Sequence, residues 1–153
     1  MRKLFAAGLL AGLSLSTAAY AADASGPFAG SWTIASAKLA PWADAQSATD
    51  TKERDSLVGT PVTFEAKRIV ARGEVACNDL RYAIKTYTPD MLFQGSFTDP
   101  AKQAPQFGFK GSAITTLETG CANEIDFHLA DSNTAEFALN DYIYMLKRAG
   151  APK

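Results

Sequence analysis

Short runs of alternating apolar and polar residues, separated by turn residues, most restrict the fold of this chain. The pattern is clearest near the C-terminus, where Ile125, Phe127 and Leu129 alternate with Asp126 and His128, and strand-like apolar runs follow at residues 137–139 and 142–146. Turn-forming residues separate these runs, at residues 131–133 and 140–141. Because successive side chains of a strand point to opposite faces, alternation of this kind is typical of strands with one buried face. The sequence therefore predicts consecutive antiparallel strands joined by tight turns.

Similar runs occur through most of the chain. They lie at residues 32–37, 62–64, 69–70, 82–87, 91–97 and 113–117. Several short strands spaced about 8–12 residues apart are typical of a β-sandwich or β-barrel. We therefore expect residues 22–153 to form a single all-β domain. Its expected architecture is a small antiparallel barrel or strongly curved sheet of about 7–9 strands.

Two segments depart from the strand pattern. Residues 38–57 are polar and rich in alanine, which predicts a long loop over one end of the fold or a short helix at residues 51–57. One helical turn is expected at residues 101–103, because Asp99-Pro100 precedes them.

The N-terminus has the pattern of an export signal. Arg2 and Lys3 precede an apolar run at residues 4–15, and Ala19-Tyr20-Ala21 supplies the small residues of a cleavage site. The run is too short to span a bilayer, which requires about 20 apolar residues. We therefore expect residues 1–21 to be a cleaved signal peptide, with no stable membrane anchor. The expected location is the bacterial periplasm or the cell exterior.

The charge balance excludes some partners and cofactors. The chain has 15 Lys and Arg against 16 Asp and Glu. Loss of Arg2 and Lys3 with the leader makes the domain more acidic, so no basic field favours nucleic acid. One histidine, two cysteines and no dense acidic cluster provide few ligands for a metal or haem. We therefore expect no cofactor and no metal.

Export gives the two cysteines, Cys77 and Cys121, a structural interpretation. In an oxidising compartment they are most simply a disulfide. The bridge would close a loop of about 45 residues, for which chain entropy gives roughly 4 kcal/mol of stability. A reactive thiol would need a positive neighbour, whereas Glu118 and Glu124 lie near Cys121 in the sequence.

The two ends of the predicted domain carry a family resemblance. Gly30-Ser31-Trp32 opens the first expected strand, and Lys147-Arg148 ends the last. This arrangement resembles the lipocalin or calycin families. The resemblance implies that Trp32 closes one end of a barrel beneath a cation from the final strand, Arg148. An indole and a guanidinium are suited to such a stacked contact.

A second resemblance lies in the middle of the chain. The segments that carry it are Val62-Thr63-Phe64, Ala76-Cys77-Asn78, Tyr82, Thr115-Thr116 and Cys121. They are similar to the core pattern of the META domain family, small exported bacterial β-domains. Ala76 departs from the glycine of that pattern, and the stretch between the two cysteines is longer. The resemblance supports a fold more than a function.

The single histidine, His128, is the one candidate for histidine-dependent catalysis. Strand alternation places it on the same face as Glu124 and Asp126. Asp126 could orient the imidazole of His128, which is the beginning of a general-base arrangement. No nucleophile motif accompanies the pair. The interpretation that we favour is therefore that this face is the solvated side of an outer strand.

Three aromatic residues are candidate binding residues, each with a structural alternative. Trp42, in the polar segment, either closes one end of the barrel or lines a ligand mouth or anchors a partner. Tyr87 belongs to an expected hairpin at residues 82–93, whose tip is either a docking loop or an ordinary turn. Phe107 either fills a gap in the core or forms a flexible lip.

These features favour a non-enzymatic exported binding protein. Its expected partner is another protein in the envelope or outside the cell, bound as an inhibitor of a lysozyme or protease binds or as part of an envelope-stress response. The alternative is a carrier that holds a small apolar ligand in the barrel interior. A third possibility is a hydrolase that uses His128 and Asp126.

Overall fold

The computed structural model describes residues 25–44, 46 and 51–150. The expected signal peptide at residues 1–21 lies outside the described residues, as does part of the polar segment, residues 45 and 47–50. Within the described part, eight strands form one sheet that curls into a half-barrel. The predicted all-β, strongly curved architecture is therefore confirmed.

The strands follow one another with antiparallel pairing throughout. In chain order they are β1 (Gly30–Leu39), β2 (Pro61–Phe64), β3 (Ile69–Val70), β4 (Ala83–Tyr87), β5 (Ile114–Glu118), β6 (Asp126–Asp131), β7 (Thr134–Leu139) and β8 (Tyr142–Arg148). Their order across the sheet is β3-β2-β1-β8-β7-β6-β5-β4. β1 therefore pairs with β8, which brings the two ends of the described domain together.

The helices of the described residues are short. Two are α-helices, α1 (Lys52–Leu57) and α2 (Pro100–Gln103), and they confirm the helical turns expected at residues 51–57 and 101–103. The 3₁₀ helices are Gly26–Phe28, Gly73–Val75, Pro89–Gly95 and Ala104–Phe107. No helix in the described ranges is long and apolar enough to span a membrane.

The strand expected at residues 91–97 and the hairpin expected at residues 82–93 are wrong. Pro89 begins a 3₁₀ helix, and Phe93 and Gln94 have φ angles of 50° and 59°. Two consecutive residues in the left-handed region cannot continue a strand. The turn directs the Phe93 side chain onto the sheet, where it is buried, so tertiary packing overrides the strand pattern.

The inner face of the sheet is the concave side of the half-barrel and carries the first core. Phe64 of β2 contacts Phe127 of β6, with ring centroids 4.9 Å apart, although three strands lie between them in the sheet. Only a strongly curved sheet brings such strands into contact. The largest fully buried side chains here are Phe28, Trp32, Phe64, Phe127, Phe137 and Tyr144.

The outer face carries a second core, beneath a segment that we call the cap (residues 89–109, between β4 and β5). Its buried members include Leu92, Phe93, Phe97, Ala104, Phe107 and Phe109 from the cap, with Ile114 and Ile143 from the sheet. The expected solvated outer face at β6 is therefore wrong. The apolar cap covers it, and His128 is fully buried.

The predicted disulfide between Cys77 and Cys121 is confirmed. Cys77 exchanges two backbone hydrogen bonds with Ile69 of β3, of 2.8 and 3.1 Å, and so extends one edge of the sheet. Cys121 follows β5, which lies next to the opposite edge. The bridge therefore joins the two sides of the half-barrel.

The expected contact between Trp32 and Arg148 is present. The guanidinium carbon of Arg148 lies 4.2 Å from the centroid of the Trp32 ring, and the indole N–H donates to the Phe28 carbonyl at 2.8 Å. Arg148 also donates to the carbonyl oxygens of Ala29, at 2.9 Å, and of Pro27. One side chain therefore holds the N-terminal segment against the last strand.

Candidate binding cleft

A cleft of about 320 Å³ opens where the cap meets the turns before β6 and before β8. Side chains from five separate parts of the chain form its walls. The polar and aromatic ones are Trp42, Glu74, Phe93, Gln94, Ser96, Asn123, Glu124, Asp126, His128 and Asn140. Because these residues are far apart in sequence, the cleft depends on the whole fold.

Trp42 forms one wall and is held in place on two sides. Its indole N–H donates to the carbonyl oxygen of Asn140 at 3.1 Å. Its ring packs against Phe93 and Phe97 of the cap, with centroids 6.0 and 6.3 Å away. Trp42 therefore packs on the outer core and does not close an end of the inner one, and its half-buried ring contributes a fixed aromatic surface to the cleft.

Four residues in the left-handed region line the cleft. Phe93, Gln94, Glu124 and Asn140 have φ angles of 50°, 59°, 52° and 51°. The Gln94 side chain donates from Nε2 to the carbonyl oxygen of Glu124 at 2.9 Å, which ties the cap to the turn before β6. Asparagine tolerates this conformation, but for Gln and Glu it is uncommon and such residues cluster at functional sites.

The electrostatics of the cleft are acidic. Glu74, Glu124 and Asp126 contribute carboxylates, and none of the described residues that line the cleft is a lysine or arginine. Burial, with the charges of Glu118 and Glu124, raises the pKa of Asp126 to about 6. A bound cation would lower the pKa of Asp126 again, so the arrangement favours a positively charged group. A more open groove shares Gln94, Glu124 and Asp126 with the cleft and continues towards Arg81.

His128 lies at the floor of the cleft, but both ring nitrogens are engaged. The backbone N–H of Phe93 donates to Nε2 at 3.3 Å, so Nε2 carries no proton. Nδ1 therefore carries the proton and donates to Thr116 Oγ1 at 2.8 Å. Burial lowers the pKa of His128 to about 3, which keeps the ring neutral. His128 fastens the cap to the sheet, and the expected orientation of its imidazole by Asp126 is not formed.

The other two aromatic candidates lie elsewhere. The Tyr87 hydroxyl donates to Glu118 Oε1 at 2.9 Å, and burial and Glu118 raise the pKa of Tyr87 to about 12. Phe107 is buried inside the cap, where it stacks on Phe97 at 5.7 Å, so it fills the core and does not form a flexible lip. The structure thus brings Trp42, Asp126 and His128 together but leaves Tyr87 and Phe107 outside the cleft.

Sequence reasoning missed Gln94, Asn140 and the contribution of Glu124. The sequence pattern predicts a strand at residues 91–97, which includes Gln94, and nothing local shows that the cap crosses the outer face and brings Gln94 to the cleft. The Asn140-Asp141 turn was a usable signal, because a turn between two strands lies at an end of the sheet. Among the described residues, no group of three or more His, Cys, Asp or Glu is arranged to hold a metal ion.

Comparison with known proteins assigns no family to this arrangement. No protein-family model matches the chain, and neither a curated protein nor a solved structure is significantly similar to it. The resemblances to the calycin and META families therefore stay predictions.

Proposed function

We propose that this chain is an exported, non-enzymatic binding protein whose acidic cleft receives a positively charged side chain of a protein partner. The observation that carries the proposal is the composition of the cleft, which combines three carboxylates with the ring of Trp42 and no lining cation. Lysine and arginine side chains are attracted both to carboxylates and to the face of an indole. A basic hydrolase such as a lysozyme is a partner of suitable chemistry.

The size and position of the cleft support a protein partner. A cleft of about 320 Å³ accepts one long side chain and is at the lower end of the volumes typical of sites for drug-sized ligands. It opens at turns, where neighbouring loops can add contact area around an inserted side chain. Complementary charge also accelerates encounter with a basic protein.

Export is supported by the disulfide and by the leader pattern of the sequence. Disulfides persist in oxidising compartments and are rare in the cytosol. The Cys77–Cys121 bridge joins the two sides of the half-barrel, so the fold relies on a bond that such a compartment maintains.

The alternatives receive less support from the geometry. A carrier needs space on the inner face, but that face is filled by buried aromatic rings such as Phe64, Phe127 and Phe137. A hydrolase that uses His128 needs a nitrogen free to accept a proton, and the Phe93 N–H already occupies Nε2.

Affinity capture with three matched baits tests the proposal. The first bait is the disulfide-bonded protein, and the second carries Glu124→Gln and Asp126→Asn in the cleft. The third carries Glu65→Gln and Asp79→Asn, which make the same charge change at residues that do not line the cleft. Envelope and extracellular proteins are the input, and lysozyme serves as a defined basic probe.

We expect a partner to be retained by the unmodified bait and the control bait and lost from the cleft variant. Retention should weaken as salt rises, because exposed charge pairs are screened over about 10 Å at 0.1 M. Equal retention by all three baits would exclude the cleft as the binding site.

A further inference from the structure

Glu136 is a buried acid that the proposed binding function does not use. It lies in the middle of β7 and is 1% exposed, and its Oε2 atom has no hydrogen-bond partner in the described structure. Buried carboxylates are normally paired, because an isolated charge away from water is strongly unfavourable. This side chain is therefore stable in its place only while it is neutral.

The neighbours of Glu136 show that the cap covers it. Strand alternation puts Glu136 on the outer face, directly opposite His128 of β6. His128 is bonded to Phe93 of the cap, and a Cβ atom built at Gly108 of the cap would lie 3.7 Å from Ala130 of β6. On the other side, Lys38 of β1 donates to the Gln106 carbonyl of the cap at 3.1 Å. The cap thus extends from β6 to β1, with β7 between them.

The charged groups around Glu136 do not neutralise it. Three titratable groups on the neighbouring strands bear on it: His128 lies opposite it on β6, and Lys147 on β8 and Lys38 on β1 act on its charge. His128 is neutral, and Lys147 donates to the hydroxyl of Thr134. The two lysines favour the ionised form from a distance, but neither forms an ion pair with Glu136 in the described structure.

The charged side chains of the cap itself do not compensate either. Lys102 forms an ion pair with Asp99 at 2.9 Å, and both are largely solvent-exposed. Asp90 is exposed as well. Because Oε2 has no hydrogen-bond partner in the described structure, a negative charge on Glu136 is stabilised far better when water is admitted, and the closed cap keeps water away.

We propose that the cap is a pH-sensitive lid, closed over a neutral Glu136 and opened when that carboxyl group ionises. Phe93, Gln94 and Ser96 belong to the cap and also line the cleft, so the same step takes apart one wall of the cleft. The lid concerns the fold itself and holds whether or not the cleft binds a basic partner.

The direction of the pH dependence follows from the different pKa of Glu136 in the closed and open forms. Burial raises the pKa of Glu136 to about 8 from its ordinary 4.5. With the cap open, the group meets water and its pKa returns towards the ordinary value. Between these two values the closed form holds a proton that the open form has lost. The open population therefore rises with pH, by about tenfold per unit, and levels off above pH 8.

Hydrogen exchange measured by mass spectrometry between pH 6 and pH 9, expressed as protection factors, tests the lid. In the disulfide-bonded chain we expect amides at residues 89–109 to be at least about tenfold less protected than those of β6 and β7, as sub-global opening requires. Cap protection should fall by about tenfold per pH unit up to about pH 8. Equal protection of cap and strands, or cap protection that does not change with pH, would overturn the proposal.

Two variants identify the responsible group. Glu136→Gln keeps the shape without the ionisation, so cap protection should become independent of pH, and a fall that persists in this variant contradicts the proposal. Asp126→Asn removes another carboxyl group with a raised pKa and should leave the fall in place. If cap protection no longer falls with pH in the Asp126→Asn variant, the effect is due to Asp126 instead.

Lys147→Met provides a test that does not require substitution of Glu136 itself. It removes a positive charge that favours the ionised form of Glu136, without removing a described contact to the cap. The pH above which cap protection stops falling should therefore be higher than in the unmodified protein. An unchanged profile in a folded Lys147→Met protein would also overturn the proposal.

Discussion

The two faces of the sheet are covered by different means. The inner face is packed mainly by side chains of the strands themselves, and its core is apolar and aromatic. The segments outside the strands add Phe28, Leu57, Val75 and Ile125 to it. The outer face is covered by the cap, an irregular segment that lies against two buried ionisable residues, His128 and Glu136. The same alternation of strand residues thus leads to a uniform apolar core on one face and a mixed one on the other.

Because of this difference, the inner face stays closed as long as the sheet is folded, whereas the cap on the outer face can open separately. A concave apolar core can open only if the sheet unfolds, because rings such as Phe64 and Phe127 come from distant strands. The cap is attached to the sheet by packing and by a few polar contacts, such as that between the Phe93 N–H and His128. Segments of this kind open at lower free energy than core strands. The cleft is built at that more labile boundary.

The largest effect that we expect comes from truncation in the inner core. Trp32→Ala removes a fully buried indole and its contact with Arg148. We expect a loss of about 3–5 kcal/mol in the free energy of unfolding, a large fraction of the stability of a domain of this size. Urea denaturation followed by circular dichroism measures this loss.

Phe97→Ala is the matched truncation in the cap. Phe97→Ala can lower the free energy of global unfolding by no more than the free energy of cap opening. A greater loss of cap packing would leave the cap open in the folded protein without destabilising the sheet further. We therefore expect a smaller shift in the urea midpoint than for Trp32→Ala, with red-shifted fluorescence of Trp42 as its packing on Phe97 is lost. Equal losses for both variants would mean that the two faces unfold as a single unit.

The contrast also explains what the sequence could predict. The strands of the inner face were predictable, because the alternation at residues 125–129 is a local pattern. The contact of Trp32 with Arg148 was expected only through the resemblance to the calycin families. Glu136 shows the limit of the same reasoning. A glutamate at an alternate strand position indicates a solvent-facing side chain, and nothing in β7 shows that the cap, which lies two strands earlier in the chain, covers it.

The cleft was predictable only in part for a similar reason. Trp42 stands out because a tryptophan in a polar loop needs burial, and Asp126 and His128 share a strand face. Gln94 reaches the cleft through two left-handed residues that sequence propensity does not favour. The packing of Phe93 against His128 holds this conformation, and such a tertiary contact has no local signature.

His128 provides a test of how the cap is held on the outer face. We expect His128→Leu to leave the Phe93 N–H without an acceptor and to destabilise the protein by about 1–3 kcal/mol near neutral pH. The effect should appear first as faster hydrogen exchange at residues 89–109. A variant whose cap exchanges as slowly as that of the unmodified protein would show that the hydrogen bond does not hold the cap.

The pH dependence of this residue runs opposite to that of Glu136. Because burial lowers the pKa of His128 from 6.5 to about 3, the unfolded chain binds a proton in this range and the folded one does not. The contribution of His128 to stability should therefore fall as pH drops from about 6.5 towards 3, by up to about 1.4 kcal/mol per unit. Above about pH 4.5 the opposite contribution of Glu136 offsets it in the unmodified protein, so the difference between the unmodified protein and His128→Leu is what reports on His128. His128→Leu should lack this part of the slope. Unfolding at pH 4, 5, 6 and 7 in buffers of about equal ionic strength measures the difference.

The smallest effect that we expect comes from Arg148, which packs on Trp32 of the inner face. Its substitution tests whether the positive charge of this side chain or its planar geometry matters more. Arg148→Lys keeps the positive charge but replaces the planar group that stacks on Trp32 at 4.2 Å and donates to Ala29 and Pro27. An ammonium group cannot stack flat and offers its donors from a single atom. We expect a loss of about 1 kcal/mol, seen as a small shift in the urea midpoint.

Arg148→Met separates the two contributions, because it also removes the charge while its chain still covers the indole. If the planar geometry matters most, Lys and Met should destabilise the protein by similar amounts. If charge dominates, the Lys variant should match the unmodified protein and only Met should lose stability. In both cases cap exchange at residues 89–109 should change no more than global unfolding requires, because Arg148 contacts the inner face. A selective change at the cap would show that the two faces are coupled through the sheet.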